Sequence, residues 1–512
     1  MQVKKLTYAL AAAGLAVSGG ALATNGMNME GYGPIATSMG GASMAYDNGT
    51  AAMMNNPATL GLASDGSRFD LALGALGPDI ESTNSLGSAD SQITLALMPA
   101  MGYTKKSGKL AYGVGVFAEG GMGAEYKAGS TMDITENSTS FTGAATTGGQ
   151  KQRSELGVGR VLFPLAYNVN DQLTIGGSVD FVWGGLDILW SQDTENFFGS
   201  VDTNKVSAAT VAILGGFNLT PRNRRGSVSG NLIDNFFAAF NAGNFTDFHW
   251  GTFAFSNAGK ANQQTLGYGG AAKLGMTYKV NDKLTLGATY HTKTKMSDFE
   301  GDAVMSFKVA GPACGGGTCV IPVESEVKVV DFQWPATYGL GLSYQASDRL
   351  QVVADYKRLN WSDVMKNFHM VFTANATQSN AAAAGFANTV LDYVYFQNWD
   401  DQNVYNIGVG YKFSDKLTLR AGYNYASNPV PSSTVSFLFP ATIEQHLTLG
   451  FGYAFSKASN LDFSFTYGRG DKITESVVEA LDGAGAAGAT NSRPITIEHT
   501  QTNAQIMYSY KF

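Results

Sequence analysis

Hydrophobic and polar residues alternate with a period of two through long stretches of the chain. In Lys416–Ala426, Leu417, Leu419, Ala421, Tyr423 and Tyr425 share one face, and Thr418, Arg420, Gly422 and Asn424 share the other. The last stretch sets Ala504, Ile506, Tyr508, Tyr510 and Phe512 against Asn503, Gln505, Met507, Ser509 and Lys511. Leu447, Leu449, Phe451, Tyr453 and Phe455 repeat the pattern, as do Leu461, Phe463, Phe465 and Tyr467. This spacing predicts strands with one apolar and one polar face. The apolar faces are almost free of charge, whereas a soluble sandwich would carry charge on its wet face. A Lys or Arg facing lipid near the midplane costs about 2–4 kcal/mol. The pattern therefore suits a wall with hydrocarbon on one side and a polar lumen on the other. Backbone groups in lipid all need partners, so such a sheet must close.

A short phrase recurs along the chain. It reads YNVNDQLTIGGSVDF from Tyr167, YKVNDKLTLGATY from Tyr278, YQASDRLQVVADY from Tyr344 and YKFSDKLTLRAGYNY from Tyr411, with a looser copy, YAFSKASNLDFSFTYG, from Tyr453. Each copy predicts a hairpin with a tight polar turn, and GYTKKSGKLAYGVGVF from Gly102 predicts another. Six short turns join twelve strands; Ser67–Gly77 precedes them and Ile497–Phe512 follows. The expected fold is all-β: a transmembrane antiparallel β-barrel of about fourteen strands, an even number as single-chain bacterial barrels have. Seven long segments, near 78–91, 120–155, 185–265, 294–331, 362–401, 427–442 and 469–496, are expected to be extracellular loops. The six short turns then face the periplasm.

The N-terminus has a different character. Lys4 and Lys5 precede the apolar run Leu6–Val17, and Ala21-Leu22-Ala23 fits an A-x-A cleavage site. Residues 1–23 are expected to be a cleaved signal peptide, because the apolar run is shorter than the roughly 20 residues of a spanning helix. Residues 24–65 are rich in Gly, Ala, Met and Asn and do not alternate. They are expected to form a plug inside the lumen, with residues 66–512 as the barrel.

Composition narrows the function. Charged residues make up 15% of the chain, aromatics 12%, and the net charge is −7. Typical soluble domains carry about 25% charged residues, and no basic footprint for nucleic acid is present. Cys314 and Cys319 lie in GPACGGGTCVIP, and close pairing in an exported chain predicts a disulfide. Two thiols with no nearby histidine do not suit a metal. The five histidines (His249, His291, His369, His446 and His499) are scattered, and no nucleophile motif accompanies them. The expectation is a protein that is not an enzyme and has no cofactor.

Further motifs bring a known family into view. GGASMAYDNGTAAMMNNPATL spans Gly40–Leu60 and contains Asn55, Asn56, Pro57 and Ala58. GVGVFAEGGMGAEY follows from Gly113, RLNWSDV from Arg358, SNPVP spans Ser427–Pro431, and an aromatic strand ends in Phe512. In this order the set resembles the FadL/TodX family of outer-membrane transporters for long-chain fatty acids and aromatic hydrocarbons, over essentially the whole mature chain. The resemblance implies a location in the Gram-negative outer membrane. It also implies passive uptake: capture in a groove between loops, binding in the lumen, and lateral exit where one strand kinks inward. Movement of the N-terminal plug, or hatch, couples binding to release in this scheme. The final Phe resembles the signal read by the barrel-assembly machinery. Partners are then a hydrophobic small molecule, outer-membrane lipid and lipopolysaccharide, with the barrel a monomer. A general or anion porin, or a structural outer-membrane protein, is the alternative.

The residues supply candidates for each step. For the exit, Gly113, Gly115, Gly120 and Gly121 weaken the third strand, and Pro99, which cannot donate to a ladder, lies opposite Val114 in the simple hairpin register. For capture, Leu232, Ile233, Phe236, Phe237 and Phe240 have helical spacing, and Phe386, Val390 and Leu391 form a similar stripe. For a ligand carboxylate in the lumen, alternation offers Arg160, Lys273, Arg420, His291 and His446. Each of these is alternatively half of an ion pair with Asp180, Asp355, Glu444 or Asp462. The strand Leu173–Gly184 presents Thr174, Gly176, Ser178, Asp180 and Val182 to the lumen and carries no basic residue. That departs from the fatty-acid members and keeps neutral hydrocarbons open.

Overall fold

The computed structural model describes residues 25–216, 220–221, 225–255, 265–476, 481–482 and 493–512. The expected signal peptide at residues 1–23 lies outside them.

Long strands form the wall. In chain order they are β1 (Gly66–Asn84), β2 (Ala96–Ser107), β3 (Leu110–Tyr126), β4 (Gln152–Asn168), β5 (Leu173–Asp193), β6 (Thr265–Lys279) and β7 (Leu284–His291). Then follow β8 (Thr337–Gln345), β9 (Leu350–Leu359), β10 (Gln402–Lys412), β11 (Leu417–Ala426), β12 (Gln445–Ala454), β13 (Ser459–Arg469) and β14 (Thr496–Lys511). Each pairs antiparallel with the next. The ring closes between β14 and β1, from Arg68↔Lys511 to Thr83↔Thr496. Among the described residues the whole sheet has 23 strands, more than the expected number of about fourteen. The surplus arises because segments expected to be loops pair into strands of their own above the ring.

The repeated phrase makes the short turns by one device. The side chain of its first turn residue accepts backbone N–H groups two and three residues on. Asn170 takes Gln172 and Leu173, Asn281 takes Lys283 and Leu284, and Ser414 takes Lys416 and Leu417. Ser347 and Ser456 do the same. Such side-chain caps replace a backbone turn bond and fix the hairpin.

The two faces differ as the alternation requires. Leu71, Leu165, Phe181, Leu274, Ile407 and Leu449 point outward and are exposed. Asp70, Ser178, Thr289, Asn406, Thr448 and Asn503 point inward and are buried. No soluble surface would expose a continuous apolar belt of this extent.

Residues 25–62 lie inside the ring and touch much of its circumference. Gly40 N–H donates to Thr448 Oγ1 at 3.0 Å on β12, and Lys357 Nζ on β9 donates to the Gly41 carbonyl at 3.0 Å. Thr50 N–H donates to Asp70 on β1 at 2.8 Å, and Asn168 on β4 donates to the Gly61 carbonyl at 3.1 Å. The fit is close enough to dictate residue type on the wall. A side chain at Gly287 of β7 would collide with the Met44 carbonyl, and one at Gly422 of β11 with the Gly40 backbone.

Above the ring, the strands Gly226–Ser229, Asp247–Ala254, Phe299–Ala310, Thr318–Val330, Asn367–Ala374 and Val390–Phe396 pair with one another. Cys314 and Cys319 form a disulfide at the Phe299–Val330 hairpin tip. Asn231–Asn241 is the expected helix. The second stripe is not helical as expected: Ala381–Phe386 is a short 3-10 helix, and Val390 and Leu391 begin a strand. VLDYVYF is rich in branched and aromatic residues with period two, which favours the extended form.

Candidate functional site

The β2–β3 ladder ends early. It runs from Ser107↔Leu110 to Met101↔Val116 and no further. Beyond it, Ala96–Ala100 remain paired with β1, and Pro99 faces Leu73 there. The expectation that Pro99 lies opposite Val114 is therefore wrong: Tyr103 holds that place. The tight turn at Gly108 sets a register in which Pro99 would meet Ala118 if the ladder continued.

Past Val116, β3 parts from β2 and turns inward while still paired with β4. Its pairing with β4 shifts between Ala118 and Gly120, so Glu119 is an extra, unpaired residue. Gly120 bridges Asn28, and Gly121 N–H donates to the Met27 carbonyl at 3.0 Å. Tyr32 Oη donates to the Glu119 carbonyl at 2.8 Å. A side chain at Gly120 would strike the Met27 backbone, so this close approach needs glycine. The bulge supplies both the bend and the local break in pairing. Gly113 and Gly115 lie on the inward face against Met53, still within the paired region.

A narrow apolar cavity of about 40 Å³, partly open to solvent, occupies the seam. Met29, Tyr32, Met98, Pro99, Phe117 and Met507 make up much of its wall. Asp70 is its one charged lining residue, and that carboxylate is taken by Thr50 N–H and Arg68 Nε, each at 2.8 Å. No basic side chain is in the lining.

The Asn-Asn-Pro-Ala motif braces the interior segment. Asn56 Nδ2 donates to the Met44 carbonyl at 2.8 Å and to the Met276 carbonyl of β6 at 3.3 Å. Its Oδ1 accepts Ala58 N–H at 3.1 Å, which caps the turn that Pro57 opens. Asn55 Nδ2 donates to the Tyr32 carbonyl at 3.0 Å, tying the motif to the cavity wall.

The lumen cations are all engaged. Arg160 lies between Glu119 and Asp180, with 3.0 Å to Asp180. Lys273 Nζ reaches Asp180 at 2.9 Å, and Arg420 reaches Asp462 at 2.8 Å. His291 Nε2 lies 3.0 Å from the Asn55 carbonyl, and His446 Nδ1 lies 2.7 Å from Asn424 Oδ1. Asp355, an expected ion-pair partner, instead accepts Ser43 N–H at 2.5 Å and Met44 N–H at 3.2 Å. Glu444 Oε2 accepts the Asp471 N–H at 3.3 Å.

The capture residues do not form an open groove. Leu232, Ile233, Phe236 and Phe237 are buried, and Phe240 is half-buried. Phe236 stacks within 6.5 Å of Phe386, so the two stripes read from sequence pack on each other. Their greasy faces satisfy one another and close the outer layer. Sequence reasoning missed Glu119, Tyr32, Phe117 and Met98. The visible signal for Glu119 was a single charge inside the glycine-rich run GVGVFAEGG.

A family model described as outer membrane protein transport protein (OMPP1/FadL/TodX) matches residues 9–493. The structure of the toluene transporter TodX of P. putida is 29% identical, with a TM-score of 0.71, covering 94% of this chain and 99% of that one. The toluene transporter TbuX of Ralstonia pickettii is 30% identical, with a TM-score of 0.67 and the same coverage of 94% and 99%. A FadL homologue of Pseudomonas aeruginosa, 14% identical with a TM-score of 0.64 over 96% of this chain and 100% of that one, shares the fold. An uncharacterized protein encoded in the 5′ region of a phosphoenolpyruvate carboxykinase gene of Chlorobium limicola is 52% identical over 66 residues. That match covers 13% of this chain and 32% of that relative's length.

Proposed function

Because the chain belongs to the outer-membrane transport protein family OMPP1/FadL/TodX, we propose that it carries hydrophobic small molecules passively into the cell, releasing them sideways through the β2–β3 seam. The substrates are long-chain fatty acids or aromatic and aliphatic hydrocarbons, the class that includes the toluene named for TodX and TbuX. The observation that carries this reading is the methionine-rich cavity beside the point where the β2–β3 ladder stops.

Residues 24–65 act as the plug, and the Asn55–Ala58 brace holds it in place. With the lumen filled, water and ions have no wide path, while a greasy solute gains by moving from external water through the cavity into the bilayer. No energy source is needed for that step, because apolar transfer from water to hydrocarbon is favourable at about 25 cal/mol per Å². The seven long segments face outside, where lipopolysaccharide surrounds them. The six short turns face the periplasm, and the barrel works as a monomer. Its terminal aromatic strand serves assembly by the barrel-assembly machinery.

The test is transfer of radiolabelled toluene into cells with and without the protein, beside planar-bilayer recording. Accelerated entry with low conductance supports the reading; a large, steady aqueous pore would contradict it.

A further inference from the structure

We propose that Glu119 is a built-in counter-ion that excludes anionic ligands, so that uncharged members of the hydrophobic class use the seam. The inference rests on the uptake reading above and names its substrate class.

Glu119 is the extra residue of the β3 bulge. A bulge re-aims one side chain, and here it turns a buried carboxylate onto Arg160. Arg160 is itself buried and also reaches Asp180 at 3.0 Å. Asp180 accepts Lys273 Nζ at 2.9 Å and Ser178 Oγ at 2.6 Å. Two carboxylates thus match two cations within one buried cluster.

This cluster adjoins the seam cavity. Phe117 and Ala118, which precede Glu119 directly, line the cavity, and Tyr32 joins that lining to the Glu119 carbonyl at 2.8 Å. A fatty-acid carboxylate in the cavity would therefore meet the Asp70 carboxylate and no basic side chain in the lining, while Arg160, paired across from the lining residue Phe117, is already taken by Glu119. It would lose its hydration without gaining a partner, which is costly for a charged group. A neutral ring or alkyl chain loses nothing comparable. Replacing Glu119 by glutamine keeps the shape and leaves Arg160 with one carboxylate fewer, so a ligand carboxylate gains a cation to meet.

Equilibrium dialysis on the purified full-length protein in detergent tests this with toluene, 1-dodecanol and laurate at neutral pH. The wild type should bind toluene and dodecanol, and bind laurate at least about tenfold more weakly than dodecanol, a difference of about 1.4 kcal/mol. Glu119→Gln should narrow the gap between laurate and dodecanol at least about tenfold. Glu119→Asp, which keeps the charge, should retain the wild-type preference. Laurate binding to wild type as tightly as dodecanol, or no gain in a folded Glu119→Gln protein, would overturn the proposal. The dodecanol–laurate comparison needs no variant, so a misfolded mutant does not rescue it. Failure of wild type to bind either neutral ligand would instead strike at the uptake reading itself.

Discussion

Asp355 on β9 accepts the backbone N–H of Ser43 at 2.5 Å and so fastens the interior segment to the wall. Met44 N–H adds a second bond at 3.2 Å to the same oxygen. The neighbouring Lys357 Nζ donates to the Gly41 carbonyl at 3.0 Å, so β9 holds residues 41–44 by three hydrogen bonds. A carboxylate that receives two backbone donors in a buried setting orders the segment around it.

Asp355→Ala should loosen that anchor. Hydrogen bonds to a charged group are worth about 1.5–3 kcal/mol each, so amide exchange at Ser43 and Met44 should accelerate at least about tenfold. Exchange in the β12–β13 ladder should stay unchanged. Hydrogen–deuterium exchange on the detergent-solubilised barrel checks both.

Phe236→Ala should unfasten the outer layer and spare the ring. Phe236 packs against Phe198, Phe245, Phe248 and Phe307 at ring separations of 6.1, 5.7, 5.5 and 5.7 Å. Truncating a buried phenylalanine costs about 3–5 kcal/mol. Limited proteolysis should then cut within residues 194–255, while the barrel still runs as a heat-modifiable band on a gel.

The outer layer should also weaken in acid around His249. Burial, opposed by Asp247 and reinforced by Lys308, lowers the His249 pKa below the ordinary 6.5. A histidine held neutral when folded contributes stability above its unfolded pKa, and that contribution is lost as pH falls through 6.5 toward the folded value. Proteolytic cleavage of the Asp247–Ala254 strand should therefore rise between about pH 7 and pH 5, and His249→Gln should flatten the response.

What was legible in the sequence follows from where one physical contrast dominates. Leu419 and Tyr423 face outward while Arg420 and Asn424 face inward, because hydrocarbon on one side and a polar interior on the other impose period two along β11. The turn residues were equally plain, since Asn170 and Ser414 act through bonds to amides two and three positions away. The seam was half legible. Glycines and Pro99 marked the region, but one inserted residue at Glu119 leaves no trace in a periodic pattern, and the Pro99–Val114 register fails because the tight turn at Gly108 sets Tyr103 opposite Val114. The loops were least legible. Val390 reads equally well on a helix or a strand over a short window, and the choice was made by pairing with Asn367–Ala374 far outside it. The lumen cations could be listed from alternation, yet their engagement with Glu119, Asp180 and Asp462 depends on which strands become neighbours.

The central claim is that ligand leaves through the gap between β2 and β3. Its most direct measurement is toluene transfer into lipid vesicles by a Pro99→Cys/Ala118→Cys protein, bridged across the gap by a reducible thiol-reactive linker. The account predicts that bridging slows transfer at least about tenfold, a barrier increase of about 1.4 kcal/mol, and that reduction of the linker restores it. Transfer at the same rate with the gap bridged and open would contradict the account.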